Sequence, residues 1–265
     1  MTAVDRSGDT DAAVALRRRA LLVFTDEVDI AEFASYVAAS VKSHEFGDLA
    51  VKAFQSTRGY RADPNRPQEF HDIAAAVQFD YGPDVEPDLL RLLHDLDFPT
   101  PLGEATISVG AVVTLLEPLG SNLLLLGAQR RTDMTAEQFG EYWSQKHAPH
   151  AVKELREAPV PIGYELFLVD HSLSDSGATE QWRPSEIDGW MHITTRGPSD
   201  FEKVARDPAH RSWVLEDEVN FVNFEAPMVG QQMLLVPQST KVHITSKKER
   251  QSCETNDSSR APLRS

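Results

Sequence analysis

The chain has 265 residues, 41% of them hydrophobic, and carries 41 acidic against 26 basic side chains, a formal charge of −15. That is enough apolar material for one large domain or two small ones, and the charge repels phosphate backbones and anionic lipid, so neither nucleic acid nor a membrane surface is an expected partner. No apolar run approaches the ~20 residues of a membrane span, the arginines before "ALLVF" lead into no cleavable signal, and the lone Cys253 leaves no disulfide framework or thiolate metal cluster; the expected setting is cytoplasmic.

Residues 1–18 are polar and are expected to be disordered, with "RRR" at 17–19 a solvated flank. An apolar strand at 20–24 leads through a polar turn to a helix marked by Asp29, Glu32, Phe33 and Tyr36, the spacing of a capping box. Strands follow at 49–57 and 72–80, separated by "RGYRADPNRPQEF" (58–70), which is long enough to act as a lid. A helix at 86–96 has Pro87 near its start, and a strand at 106–118 closes this segment. The pattern then begins again. A strand at 122–129 precedes a helix with Thr135, Gln138, Phe139 and Tyr142 at the same spacings, and this helix should end or kink after His147, because Pro149 disfavours helical geometry at Ala148. "GYELFLVDH" (163–171) and "DGWMHITT" (188–195) are strands flanking a second insertion, "SLSDSGATEQWRPSEI" (172–187), expected as another lid in which Trp182 and Arg183 form either a ligand clamp or an exposed pair. The helical stretch 199–219 breaks at Asp207 and Pro208, a strand at 227–236 closes the series, and residues from 238, with "KKER" at 247–250, form a polar tail expected to be disordered.

The order is β-α-β-β-α-β, twice. That is the ferredoxin-like plan, an antiparallel sheet with both helices on one face, and burying the bare sheet face against a twin gives an α+β barrel. The expected organisation is a degenerate first repeat at 19–118 and a second at 119–237, with both twins in one chain, which is then a monomer with an internal barrel or a homodimer.

The second half resembles the EthD family of the dimeric α+β barrel superfamily. The resemblance rests on "MTAEQFGEYWSQKHAPH", "GYELFLVDH" and "DGWMHITTRGPSDFEKVARDPAHRSWVLEDEVNFVN", which ends in an acidic "DEVNF" segment. The first half shares only the element order and the capping register, in which Val37 and Val41 stand where Trp143 and His147 do. What the resemblance implies is a cavity that handles small aromatic or polyketide-like molecules, in relatives that include cofactor-free decarboxylases, cyclases, dehydratases and monooxygenases.

Several side chains could carry such chemistry. Phe139, Trp143 and His147 share one helix face with Tyr142 at its edge. His147 is either a proton-transfer group favoured as imidazolium by the helix end, or a cap for terminal carbonyls. In "DGWMHITT", Asp188, Trp190, His192 and Thr194 fall together, a set able to stack a planar substrate and move protons. If Met191 and Ile193 pack under helices, Trp190 and His192 face the cavity. In "GYELFLVDH", Tyr164 and His171 lie on opposite faces, and each face mixes polar with apolar residues, so periodicity does not choose the inward one. Gln78 and Asp80 share a face of a first-half strand, and His71 and Tyr81 flank it. The expected catalytic residues are His192, His147, Asp188 and Tyr164, and the expected substrate-binding residues are Trp190, Thr194, Trp143, Tyr142 and His171. No cofactor or metal is expected, since "HAPH" is the only close histidine pair and Pro149 interrupts it. The expected activity is a cofactor-independent lyase or cyclase acting on an aromatic or polyketide-like carbonyl compound. The alternatives are a cofactor-free monooxygenase for a phenol and a non-catalytic binding barrel.

Overall fold

The computed structural model describes residues 17–43, 46, 48–57, 70–96, 98, 103–205 and 208–237. Both expected disordered ends apart from Arg17 and Arg18, Cys253, "KKER" and most of the 58–70 loop lie outside the described residues. The first half runs β1 (Arg17–Phe24), α1 (Ile30–Ser43), β2 (Leu49–Ser56), β3 (Phe70–Asp72), β4 (Ala75–Tyr81), α2 (Glu86–Asp95) and β5 (Ala105–Leu116). The second runs β6 (Asn122–Ala128), α3 (Ala136–Tyr142), a π-helical turn (Trp143–His147), α4 (Ala148–Glu157), β7 (Gly163–Val169), α5 (His171–Gly177), β8 (Arg183–Pro184), β9 (Gly189–Thr195), α6 (Asp200–Ala205), α7 (Pro208–Glu218) and β10 (Met228–Leu235).

Strand pairing gives β5-β1-β4-β2 in the first half and β10-β6-β9-β7 in the second, the same ferredoxin-like order with every neighbour antiparallel. Antiparallel pairing of β2 with β10 and of β5 with β7 joins the halves and closes the ring. The short strands β3 and β8 add parallel to β10 and β5. Closure removes the free edges that each half would expose on its own.

Both sheet faces are buried, so three apolar clusters form. The first-half helix layer gathers Phe33, Val37, Val41, Leu89 and Leu93 against Leu22, Val77, Phe79 and Ile107. The second gathers Phe139, Trp143, Leu155 and Phe221 against Leu124, Leu126, Tyr164, Leu166 and Ile193. Inside the ring, Leu21, Val23, Phe54, Leu125, Phe167, Trp190 and Met233 fill the lumen. Each large apolar side chain buried in this way contributes roughly 1.5–3 kcal/mol.

The structure corrects or sharpens four expectations. "RRR" is no solvated flank: β1 begins at Arg17, and Arg19 is 0% exposed because the alternation of β1 turns it into the lumen with Leu21 and Val23. Of the end or kink expected after His147, the end does not occur, and the interruption is a π turn that finishes at that residue. The π turn, in which the Ala148 N–H donates to the Trp143 carbonyl, opens the helix where the Pro149 ring would otherwise press on the carbonyl four residues back, and α4 continues to Glu157. The strand over 163–171 stops at Val169: Asp170 caps α5 by accepting from the Ser172 and Leu173 N–H groups, which removes His171 from any strand face. The insertion at 172–187 is packed against the first half rather than a free loop. Its α5 packs on α2, and Trp182 is 1% exposed within the first-half core, its indole N–H donating to the Gly177 carbonyl, while Arg183 points outward to Glu104.

Candidate functional site

The nine expected residues fall in three places, except Thr194, whose hydroxyl accepts the Leu119 N–H and holds the turn before β6.

The second-half helix layer receives four of them. The Thr135 and Gln138 capping box starts α3 as expected, accepting and donating at 3.2 and 2.9 Å, and the π turn then places Trp143 and His147 on the sheet side, both 4% exposed. A π turn shifts the side chains beyond it relative to a continuous α-helix, a device common at functional sites. His147 Nδ1 lies 2.7 Å from Asp217 Oδ2 on α7, and the Tyr142 hydroxyl donates to Asp217 Oδ1 at 2.9 Å. Phe221 stacks on Tyr142 at 5.2 Å and touches Trp143 and His147 at 5.7 and 5.1 Å, so the layer has one aromatic hub. Trp213 stacks on the outer side of His147 and is itself covered by His150. His147 and His150 have separate carboxylate partners, Asp217 and Glu154, and among the described residues no three His, Cys, Asp or Glu side chains are grouped as a metal ion requires. Tyr164 enters from β7 on the helix side. Its hydroxyl and the Trp143 indole N–H are sealed from solvent, and neither has a hydrogen-bond partner among the described residues. Burial pushes the Tyr164 phenol well up, the nearby indole pulls the other way without closing a hydrogen bond, and the charge of Glu218 adds to the rise. Trp143 reaches this position because β9 begins with glycine: a Cβ on Gly189 would overlap the Trp143 ring and meet Phe139.

The lumen receives Trp190 and His192. Ile193 and Met191 pack under the helices, which turns His192 and Trp190 inward. Trp190 donates to Ser108 at 3.0 Å. His192 is 2% exposed, and its Nδ1 lies 3.1 Å from Arg19 Nη1. An arginine only donates, so Nδ1 accepts and the ring proton sits on Nε2. Arg19 also donates to Asp80 at 2.7 Å and to Glu165 at 2.8 Å. Burial alone would raise both carboxyls, but the charges around them, Arg19 foremost, hold both below their ordinary values. Burial first and then the Arg19 charge hold His192 well below the usual histidine range, so it is neutral. An imidazole in this state is a hydrogen-bond donor at Nε2.

At the opposite end of the barrel is a cleft of about 600 Å³ lined by Gln129, Arg130, His171, Ser185, Glu186 and Asp188, among others. Asp188 precedes β9 and does not orient His192. It accepts from the Arg130 N–H and guanidinium and lies 2.8 Å from His171 Nε2. The strand spacing that grouped Asp188 with His192 holds only while the chain stays extended, and β9 begins one residue later.

Asp217, Glu165 and Arg19 were missed. Asp217 stood in the "DEVNF" segment, but its partner is 70 residues away in sequence. Arg19 and Glu165 shared the period-two register of Leu21 and Phe167, a signal that favours a buried charge only when its counter-charge is known to face it.

A closed ring of two ferredoxin-like sheets, each with its helices outside, defines the chain as an α+β barrel completed within one polypeptide. Its second half is similar to the EthD domain, whose family model matches residues 131–225. An anthrone oxidase-like protein shares the fold at 8% identity and a TM-score of 0.50, over 88% of this chain and 96% of that one. A mutant chlorite dismutase from Candidatus Nitrospira defluvii aligns at 11% identity and a TM-score of 0.45, over 83% and 89%. No curated protein matches the chain in sequence. No described helix is long and apolar enough to cross a membrane.

Proposed function

We infer that the second-half helix layer is the active site of a cofactor-independent lyase or cyclase acting on a small aromatic or polyketide-like carbonyl compound. One observation carries this reading: the His147 and Asp217 pair shares a mostly apolar, aromatic layer with two buried, unsatisfied donors, Tyr164 Oη and Trp143 Nε1. Asp217 holds Nδ1–H, which makes Nε2 the proton-accepting atom. His147 takes a proton from the carbon beside the carbonyl, and the electron pair moves onto the oxygen. The phenol and indole donors stabilise the enolate there, and the imidazolium, balanced by Asp217, returns the proton in the bond-forming or bond-breaking step. Tyr164 serves as a donor because burial keeps its phenol protonated.

Anthrone in deuterated buffer tests the reading, with exchange at the carbon between the rings followed by mass spectrometry and oxygen followed by electrode. Exchange above the uncatalysed rate is expected, falling on the order of a hundredfold or more in His147→Gln, less in Asp217→Asn, and in Tyr164→Phe without change in the pH profile. Wild-type exchange in a folded His147→Gln protein overturns it. Oxygen uptake coupled to loss of anthrone would reassign the chemistry to cofactor-free oxygenation at the same residues.

A further inference from the structure

The inferred active site is closed to solvent, and the helix that closes it also completes it. Trp143, His147 and Tyr164 are buried, and the Tyr164 hydroxyl and the Trp143 indole N–H are sealed. A substrate therefore reaches these atoms only if part of the layer moves. The strands cannot part without breaking the ring, and α3 and α4 are held to them by Phe139, Ala148, Ala151 and Leu155, all buried. The wall formed by α7 is different. Among its described side chains, 213–218, the apolar ones are Trp213, Val214 and Leu215, each only half-buried, and the one buried side chain is the charged Glu218. An element with few fully buried apolar groups opens at low free-energy cost. Polar and stacking contacts tie it to the layer instead: Asp217 meets His147 and Tyr142, and Trp213 lies between the rings of His147 and His150, at 5.1 and 3.9 Å. Just beyond α7 the chain is anchored again, since the Phe221 carbonyl accepts from the Arg131 N–H and the Asn223 N–H donates to the Gln129 carbonyl, both at 2.9 Å.

We propose that α7 is a lid that pivots about the turn at 219–220 and arms the base as it closes. When α7 lifts, Trp213 uncovers His147 and a path opens beside His150. The same movement withdraws Asp217, so the imidazole loses the acceptor that fixes its Nδ1 proton, and with it the tautomer whose lone pair is on Nε2. Closure over a substrate restores the pair and excludes water. The inference rests on the helix layer being the reacting site, but the movement itself can be read without a substrate.

Diethyl pyrocarbonate, which acylates accessible imidazoles, supplies the probe, with initial single-hit rates at each histidine mapped by mass spectrometry. His192, buried in the lumen, reports global unfolding, and His147 should react on the order of tenfold or more faster. Lys146 and Glu216 are exposed neighbours of the His147 and Asp217 pair. In the full chain with Lys146→Cys, Glu216→Cys and Cys253→Ser, a bis-maleimide across the two introduced thiols holds α7 against the π turn. Joining them should slow labelling of His147 by about tenfold relative to the same protein capped with N-ethylmaleimide, and should suppress anthrone exchange in the same proportion. His147 labelled no faster than His192, or equally fast with α7 held, would overturn the lid. Anthrone exchange that is absent in the wild type while the cross-link still protects His147 would instead sink the inferred activity and leave the lid standing.

Discussion

Protonating His192 would place a second cation against Arg19 where solvent does not reach, and this makes the barrel sensitive to acid. Below about pH 6.5 the unfolded histidine binds a proton that the folded one refuses, so stability should fall by up to about 1.4 kcal/mol per pH unit until the folded ring titrates. Asp80 and Glu165 are held below their ordinary values, so their contribution is complete above the unfolded carboxylate range and is lost as the pH falls through and below about 4. Urea unfolding between pH 7.5 and 3.5 should therefore show two declines. In His192→Gln the upper decline should disappear and the lower one remain; an unchanged upper decline would assign it to another group. The residue scale also explains why neighbouring positions differ in role. Trp143 and His147 lie on one helix face, yet one meets Tyr164 and the other Asp217, because the π turn separates them.

At the scale of elements, α5 and β8 are where local reading and packing disagree most. The segment is polar and rich in serine, which suits a surface loop, but it ties the second half to the first: α5 packs on α2 and β5, and Gln181 donates to the Leu96 carbonyl. Trp182 is its anchor. Trp182→Ala should cost about 3–5 kcal/mol, whereas Arg183→Ala should change stability by less than about 0.5 kcal/mol, its side chain being 67% exposed. Equal small effects in chemical denaturation would mean that the strap is dispensable. The helix of the second half shows the same dependence on context. Its start was set locally by Thr135 and Gln138, but its passage through Pro149 depended on the π turn.

At the scale of the whole molecule, the halves are alike in topology and unequal in chemistry. The pairings Arg19 with Asp80 and Leu125 with His192 occupy corresponding places, as do Ala50 with Asp80 and Glu165 with His192. Asp80 and His192 are therefore counterparts, and the lumen network crosses the seam, since Arg19 of the first half holds Glu165 of the second. Residues 119–237 produced alone should not give a folded monomer: β7 and β10 lose β5 and β2, Trp182 loses its core and Glu165 its cation. Light scattering and circular dichroism check this, and a monomer with native secondary structure would show that the second half is self-sufficient.

The sequence by itself determined the element order, the repeated capping register and hence the barrel. These depend on contacts a few residues apart, Asp29 with Glu32 and Thr135 with Gln138. It also carried most of the proposed helix-layer site, since Tyr142, Trp143 and His147 lie within six residues of one another. What only the tertiary structure decided was the facing of the strands. With the lumen on one side and helices on the other, both faces of β7 and β9 are buried, and the polar and apolar alternation that would reveal the inward side is erased. Tyr164 thus went to the helices and His192 to the lumen, and each histidine acquired its partner, Asp217 or Arg19, from a strand or helix that only closure of the barrel brings near.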